Sequence, residues 1–278
     1  MEVKLAKTVG FCWGVKRAVN MAQEARVRSK NRVLTHGPLI HNRRFVRKLK
    51  QEGIDVYDSS NGNIHEGTLI IRTHGIPPKT KKELIQKGFE IVDATCPHVV
   101  HAQEEVAQFS KEGYHVVIAG DQNHAEVVGL TGFAGSQVTI VGSAQEAEEI
   151  SLQEPILLIA QSTFNTDEYQ KIAGVLKKRF AQVKVKNTIC AATSSRQKEI
   201  IDLSHAVDAI VVVGDKISAN TKRLASIAES QGKPVYFVES ADDIEKDEMK
   251  SYRSVGITAG ASTPEWETVA VVEKLKKI

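Results

Sequence analysis

Short apolar runs of strand length recur along the chain, separated by stretches with helical spacing. In the first third they are Val33-Leu34-Thr35, Asp55-Val56-Tyr57, Leu69-Ile70-Ile71 and Ile91-Val92. In the second they are Val116-Val117-Ile118, Val138 to Val141, Ile156 to Ile159 and Val183-Lys184-Val185. The last third holds only three: Ala209 to Val213, Val235-Tyr236-Phe237 and Val255-Gly256-Ile257. Val3-Lys4-Leu5, at the other end of the chain, supplies the missing fourth. The stretches Val15 to Ala25, Arg43 to Gln51, Lys79 to Lys87, His101 to Ser110, Asp167 to Phe180, Ser195 to His205 and Thr221 to Gln231 predict helices. In the first of these, Val15, Ala18, Val19 and Ala22 mark one face at i, i+3 and i+4. Such alternation predicts parallel sheets covered by helices and joined by right-handed crossovers. The expected fold is α/β, with three similar small domains over residues 13–96, 97–190 and 191–278. Strand 1–12 completes the sheet of the last.

The three cysteines give this repeat its chemistry. Cys12, Cys96 and Cys190 each close a strand-like stretch and open a helical one. A glycine that ends the next strand, Gly37, Gly120 or Gly214, follows each of them at nearly the same offset. A cysteine in an apolar setting is commonly just a small buried side chain, but three at equivalent places in three units is a pattern. An odd, low count argues against a disulfide framework, and no Cys-x-x-Cys pair occurs. If the units face inward in a pseudo-threefold arrangement, the thiolates meet at one centre. Three thiolates can hold three irons of a 4Fe–4S cluster and leave the fourth iron open to substrate; a zinc site would need a fourth ligand, which a histidine or water could supply.

Ligands of parallel α/β sheets bind at the carboxyl ends of strands, and here those ends carry His41, His74, His124, Glu126, Ser162, Ser218, Ala219, Asn220 and Ser262. Histidine N–H groups, and backbone N–H groups at the helix start after Ser218-Ala219-Asn220 and near Ser262, suit a phosphate-bearing ligand. Taken singly, the histidines read as turn or core residues and the serines as helix caps. Glu126 suits a general acid, since enclosure raises a carboxyl's pKa; otherwise it is a carboxylate favoured by a helix start. His65, His98, His101, His115 and His205 read as turn or core histidines, and His36 fits either class.

Composition narrows the function further. The chain has 278 residues, 41% hydrophobic and 26% charged, which excludes a disordered or fibrous protein. A net charge of +3 admits an anionic small molecule without demanding nucleic acid, and no aromatic-basic stripe suggests nucleic-acid stacking. No apolar run approaches the roughly 20 residues needed to span a bilayer, and Met1-Glu2-Val3-Lys4 lacks a signal-peptide core. The expectation is a cytoplasmic enzyme with no membrane or nucleic-acid partner.

Together, Gly10-Phe11-Cys12-Trp13-Gly14-Val15, Ile40-His41-Asn42, His74-Gly75, Asp93-Ala94-Thr95-Cys96-Pro97, His124-Ala125-Glu126, Cys190-Ala191-Ala192-Thr193 with Arg196-Gln197, and Thr258-Ala259-Gly260-Ala261-Ser262 resemble the 4-hydroxy-3-methylbut-2-enyl diphosphate reductases. The similarity runs in the same order over nearly the whole chain. It implies the last step of the methylerythritol phosphate (MEP) route of isoprenoid biosynthesis, in which an allylic alcohol diphosphate gains two electrons and two protons, loses water, and gives isopentenyl and dimethylallyl diphosphate. It also implies an oxidoreductase with one 4Fe–4S cluster on Cys12, Cys96 and Cys190, one iron being open, and a ferredoxin- or flavodoxin-type electron donor. His41, His74, His124, Ser218, Ala219, Asn220 and Ser262 would hold the diphosphate; Glu126 would deliver protons through the hydroxyl of Ser162. Two departures stand out. Ser162-Thr163 replaces the family's usual Thr-Thr, which keeps the hydroxyl but loses the methyl that restricts χ1. Ser218-Ala219-Asn220 replaces Ser-Ser-Asn or Ser-Gly-Asn, so position 219 offers only its backbone N–H. The competing reading is another three-cysteine 4Fe–4S enzyme of the dehydration or condensation class, similar to quinolinate synthase, which needs no external reductant. A non-enzymatic cluster sensor or nucleic-acid binder is disfavoured by the modest charge.

Overall fold

Strands and helices alternate almost strictly along the chain. The computed structural model describes residues 1–58 and 66–278, so His65 lies outside the described residues. In chain order the elements are β1 (Glu2–Leu5), α1 (Trp13–Arg28), β2 (Val33–His36), α2 (Arg43–Gln51), β3 (Ile54–Tyr57), β4 (Gly67–Ile71), α3 (Pro78–Gln86), β5 (Phe89–Asp93), α4 (Pro97–Lys111), β6 (His115–Ala119), α5 (Ala125–Thr131) and β7 (Val138–Val141). There follow α6 (Ala144–Glu149), β8 (Ile156–Ala160), α7 (Thr166–Arg179), β9 (Val183–Val185), α8 (Ala191–His205), β10 (Ala209–Val213), α9 (Ala219–Ser230), β11 (Val235–Val238), α10 (Lys246–Met249), β12 (Ser254–Ala259) and α11 (Glu265–Lys276). Every apolar run named above lies in a strand. No helix among the described residues is long and apolar enough to cross a membrane.

The strands form three four-stranded sheets, ordered β3-β2-β4-β5, β7-β6-β8-β9 and β11-β10-β12-β1. All pairings are parallel, and the order of connection is the same in each sheet, except that β1 takes the fourth place in the last. There Val3 pairs with Val255 and Leu5 with Ile257. The third sheet lies in one compact unit, formed by Met1–Lys16, Ile40–Arg47 and Ala191–Ile278; the first two lie in another, formed by Arg17–Leu39 and Lys48–Cys190.

Parallel sheets carry helices on both faces, so their inner strands are apolar throughout rather than alternating. β4, β8 and β10 are accordingly buried at every position. In the second sheet Val117 and Leu158 face Ile172 and Leu176 of α7, while Val116 and Ile118 face Val106 of α4 and Val127 and Leu130 of α5. In the third, Val211 and Val213 pack with Val271 and Leu275 of α11, and Ile210 and Val212 with Ile200 of α8 and Leu224 of α9.

In each sheet, successive connections run outward on opposite sides of the central pair β2/β4, β6/β8 or β10/β12. That arrangement opens a crevice at the carboxyl ends of those pairs. The loops leaving them are the ones rich in histidine, hydroxyl and amide groups.

Candidate active site

The candidate residues occupy three equivalent sets of positions. Cys12, Cys96 and Cys190 follow the fourth strand of a sheet (β1, β5 or β9) and immediately precede α1, α4 and α8. His41, His124 and Ser218 sit in the loops after β2, β6 and β10, and His74, Ser162 and Ser262 in the loops after β4, β8 and β12. Each cysteine is half-buried. Cys12 and Cys96 act as helix N-caps: their carbonyls accept the N–H of Lys16 (2.9 Å) and Val100 (2.9 Å). All three lie at helix N-termini, where the dipole favours negative charge.

Glu126 and Ser162 are in direct contact. Glu126, in the first turn of α5, is 1% exposed. It accepts the Ser162 N–H at 2.5 Å and the Ser162 hydroxyl at 2.7 Å. The carboxylate therefore bridges the ends of two neighbouring strands, β6 and β8. Gln161 braces the same corner: its Oε1 accepts the Asp121 N–H (3.0 Å) and its Nε2 donates to Thr163 Oγ1 (2.9 Å). His124 caps α5, its Nδ1 accepting the Glu126 N–H at 3.2 Å. The His74 ring stands edge-on to His124, centroids 5.1 Å apart. Gly129 of α5 faces the His74 carbonyl, which a β-carbon there would approach to 3.3 Å.

In the other unit, His41 is held through its backbone. Its carbonyl accepts the Ser262 hydroxyl at 3.1 Å. The next residue, Asn42, caps α2 by accepting the Phe45 N–H (2.8 Å) and donates to Glu267 (3.2 Å). Asp215 accepts both the backbone N–H (2.7 Å) and the Nε–H (3.0 Å) of Arg43. Helix α2 opens with two arginines, the wrong charge for its positive end; the carboxylates of Asp215, Glu239 and Glu267 reverse that. Burial pushes Asp215 upward, but Arg43 and the Ile217 and Arg43 N–H groups outweigh it and hold it below the usual carboxylate range. At Glu267 burial wins over Asn42 and Arg44, and its pKa is raised.

Ser218 caps α9, accepting the Thr221 N–H at 3.3 Å. Ala219 and Asn220 open the helix. Asn220 is buried, and among the described residues its side-chain Nδ2 meets no acceptor, an uncommon state for a buried amide. Gly260 lets the β12 loop close on this helix, since a β-carbon there would lie 2.0 Å from Thr221 Oγ1. His115 bonds Thr139 at 2.8 Å, and burial lowers its pKa. At the end of β2, burial and the neighbouring Arg72 cation lower the pKa of His36.

The family model of the LytB protein matches residues 3–276. The chain belongs to the LytB family. Among its relatives, the 4-hydroxy-3-methylbut-2-enyl diphosphate reductase of Helicobacter pylori (strain P12) is 42% identical over 279 residues, covering 100% of both chains. That of Geobacter metallireducens is 39% identical over 278 residues, covering 100% of this chain and 98% of the relative. Among solved structures, the E-1-hydroxy-2-methyl-but-2-enyl-4-diphosphate reductase of Plasmodium falciparum superposes with a TM-score of 0.93 at 27% identity, over 98% of this chain and 87% of that one. A second, the (E)-4-hydroxy-3-methyl-but-2-enyl diphosphate reductase described as the terminal enzyme of the non-mevalonate pathway, gives 0.73 at 37% identity, over 100% of both chains. Membership in the LytB family favours the reductase over the dehydration or condensation alternative.

Proposed function

We propose that this LytB protein reductively dehydroxylates 4-hydroxy-3-methylbut-2-enyl diphosphate. The C–O bond of the allylic alcohol breaks, the oxygen leaves as water, and two electrons with two protons complete isopentenyl or dimethylallyl diphosphate. The observation that carries this reading is the buried Glu126 carboxylate hydrogen-bonded to the Ser162 hydroxyl, beside His124, whose Nδ1 accepts the Glu126 N–H.

The donor set fits an iron–sulfur cluster: three soft thiols, each at the same topological place, suit three irons and leave the fourth open. We assign Cys12, Cys96 and Cys190 as its ligands. When bound, such a 4Fe–4S cluster supplies electrons and a Lewis-acidic iron for the substrate hydroxyl. The protein's own groups do the rest. His41, His74, His124, Ser218, the Ala219 N–H, Asn220 and Ser262 hold the diphosphate, and the orphaned Asn220 Nδ2–H is the donor that most needs such a partner. Anchoring the charged end contributes binding energy to orienting the reacting end. Glu126 delivers a proton, relayed by the Ser162 hydroxyl, toward the leaving oxygen or the allyl carbon. The proposed domains are 13–96, 97–190 and 191–278 with 1–12. The proposed setting is the cytoplasm, where thiols stay reduced, with a ferredoxin- or flavodoxin-type carrier as donor.

The test is anaerobic purification followed by iron and sulfide analysis and turnover of the allylic diphosphate with a reduced one-electron dye. Iron–sulfur absorption, dye oxidation and isoprenoid diphosphate products are expected in the wild type, and loss of iron in Cys96→Ser. Full activity in Cys96→Ser, or turnover without a reductant, overturns the proposal.

A further inference from the structure

Each helix that follows a cysteine reaches back to a segment that carries another. Arg17 of α1 donates from Nη1 to the carbonyl of Thr95, the residue before Cys96, at 3.1 Å. Arg196 of α8, itself 2% exposed, donates to the carbonyl of Gly10, two residues before Cys12, at 2.8 Å. On the same helix Glu199 accepts the N–H groups of Lys7 and Thr8. In α4, Glu105 takes Lys186, four residues before Cys190, at 3.1 Å. The Lys186 contact pairs opposite charges and leaves little net field. Unlike Lys186, Arg17 donates to a neutral carbonyl, and among the described residues no carboxylate is paired with it. A half-buried positive charge therefore sits one peptide away from Cys96.

Resting on the cluster reading above, we propose that Arg17 is a positioning residue with an electrostatic role: it anchors the Cys96 loop and raises the midpoint potential of the cluster that loop helps to hold. Adding an electron to a cluster increases its negative charge. A nearby fixed cation stabilises the reduced state over the oxidised one, and more so where water is partly excluded. Outer groups that hold ligand loops tune metal centres in this way. Removing the charge while keeping a donor to Thr95 shifts the midpoint toward more negative values. Keeping the charge leaves it near the wild-type value.

The experiment is a redox titration of Arg17→Gln and Arg17→Lys holoprotein, followed by electron paramagnetic resonance, with iron content measured alongside. At the ambient potential that half-reduces the wild type, fewer than about one quarter of the Arg17→Gln clusters should be reduced, against about half in Arg17→Lys. Glutamine with full iron and an unshifted midpoint overturns the proposal. So does equal loss of iron in both variants, which would make the contact purely mechanical. A wild-type protein without any iron–sulfur signal would instead sink the cluster reading itself, so the two failures are distinct.

Discussion

Ser162→Ala tests the proton path most directly. The substitution removes one hydroxyl, the donor that reaches Glu126 Oε2 at 2.7 Å, and leaves the backbone donor of residue 162 on the other oxygen. A hydrogen bond to a charged acceptor is worth about 1.5–3 kcal/mol net. At roughly 1.4 kcal/mol per factor of ten, turnover should fall by about 10- to 100-fold, provided the hydroxyl is in the reaction path. Ser162→Thr keeps the hydroxyl and should stay within about threefold of wild type. Glu126→Gln removes the proton donor itself and should cost about 10²–10⁴ in turnover, the usual range for a general acid. Because both groups serve one transfer, the double variant should be no slower than Glu126→Gln alone. The assay is anaerobic dye oxidation under substrate saturation, with iron content confirming an intact centre in every variant. A Ser162→Ala enzyme as fast as wild type, or a double variant in which the two losses multiply, would refute a shared route.

Three further outcomes follow from the anchors. Asp215→Asn should lower the thermal midpoint at pH 7; because the carboxylate is held below its ordinary value, its contribution is complete above about pH 4 and fades as pH falls through the folded-state pKa. The gap between the two melting curves should therefore close in acid, and a gap that widens there contradicts the assignment. Gly260→Ala forces a β-carbon to 2.0 Å from Thr221 Oγ1 and should cost about 1–3 kcal/mol, read as a drop in melting temperature, with part restored by adding Thr221→Ala. Tyr169→Phe removes the buried phenol that donates to the Lys186 carbonyl at 2.8 Å and should cost about 1–2 kcal/mol in urea unfolding.

The sequence pattern revealed the sheets readily, because a strand buried on both faces has little choice but a continuous apolar run. Ala209 to Val213 and Ile156 to Ile159 are of that kind. The place of Val3-Lys4-Leu5 followed from counting three runs where the earlier units had four. Short helices escaped: α5 and α6 have too few turns to display a period, and in α11 Trp266 and Val269 are exposed among the core residues and blur the stripe. The contact between Glu126 and Ser162 needs two loops to meet, and spacing alone carries no sign of it. The anchors Arg17, Asp215 and Glu267 were equally hidden, since a charged residue in a helix or loop usually faces water, and only the fold turns these three inward. The triple equivalence of the loops after each strand could have been extracted by aligning the three units on their cysteines, which places His41 with His124 and Ser218.

Strand β1 pairs along an edge whose partner, β12, ends at Ala259. A ribosome delivers β1 well before β12, so this strand waits through the other two sheets before it meets its neighbour. Contacts between such distant stretches are slow to form. The loop bearing Cys12 hangs from this strand and shares its delay. A nascent chain stalled before residue 254 would leave strand β1 without β12 to pair with.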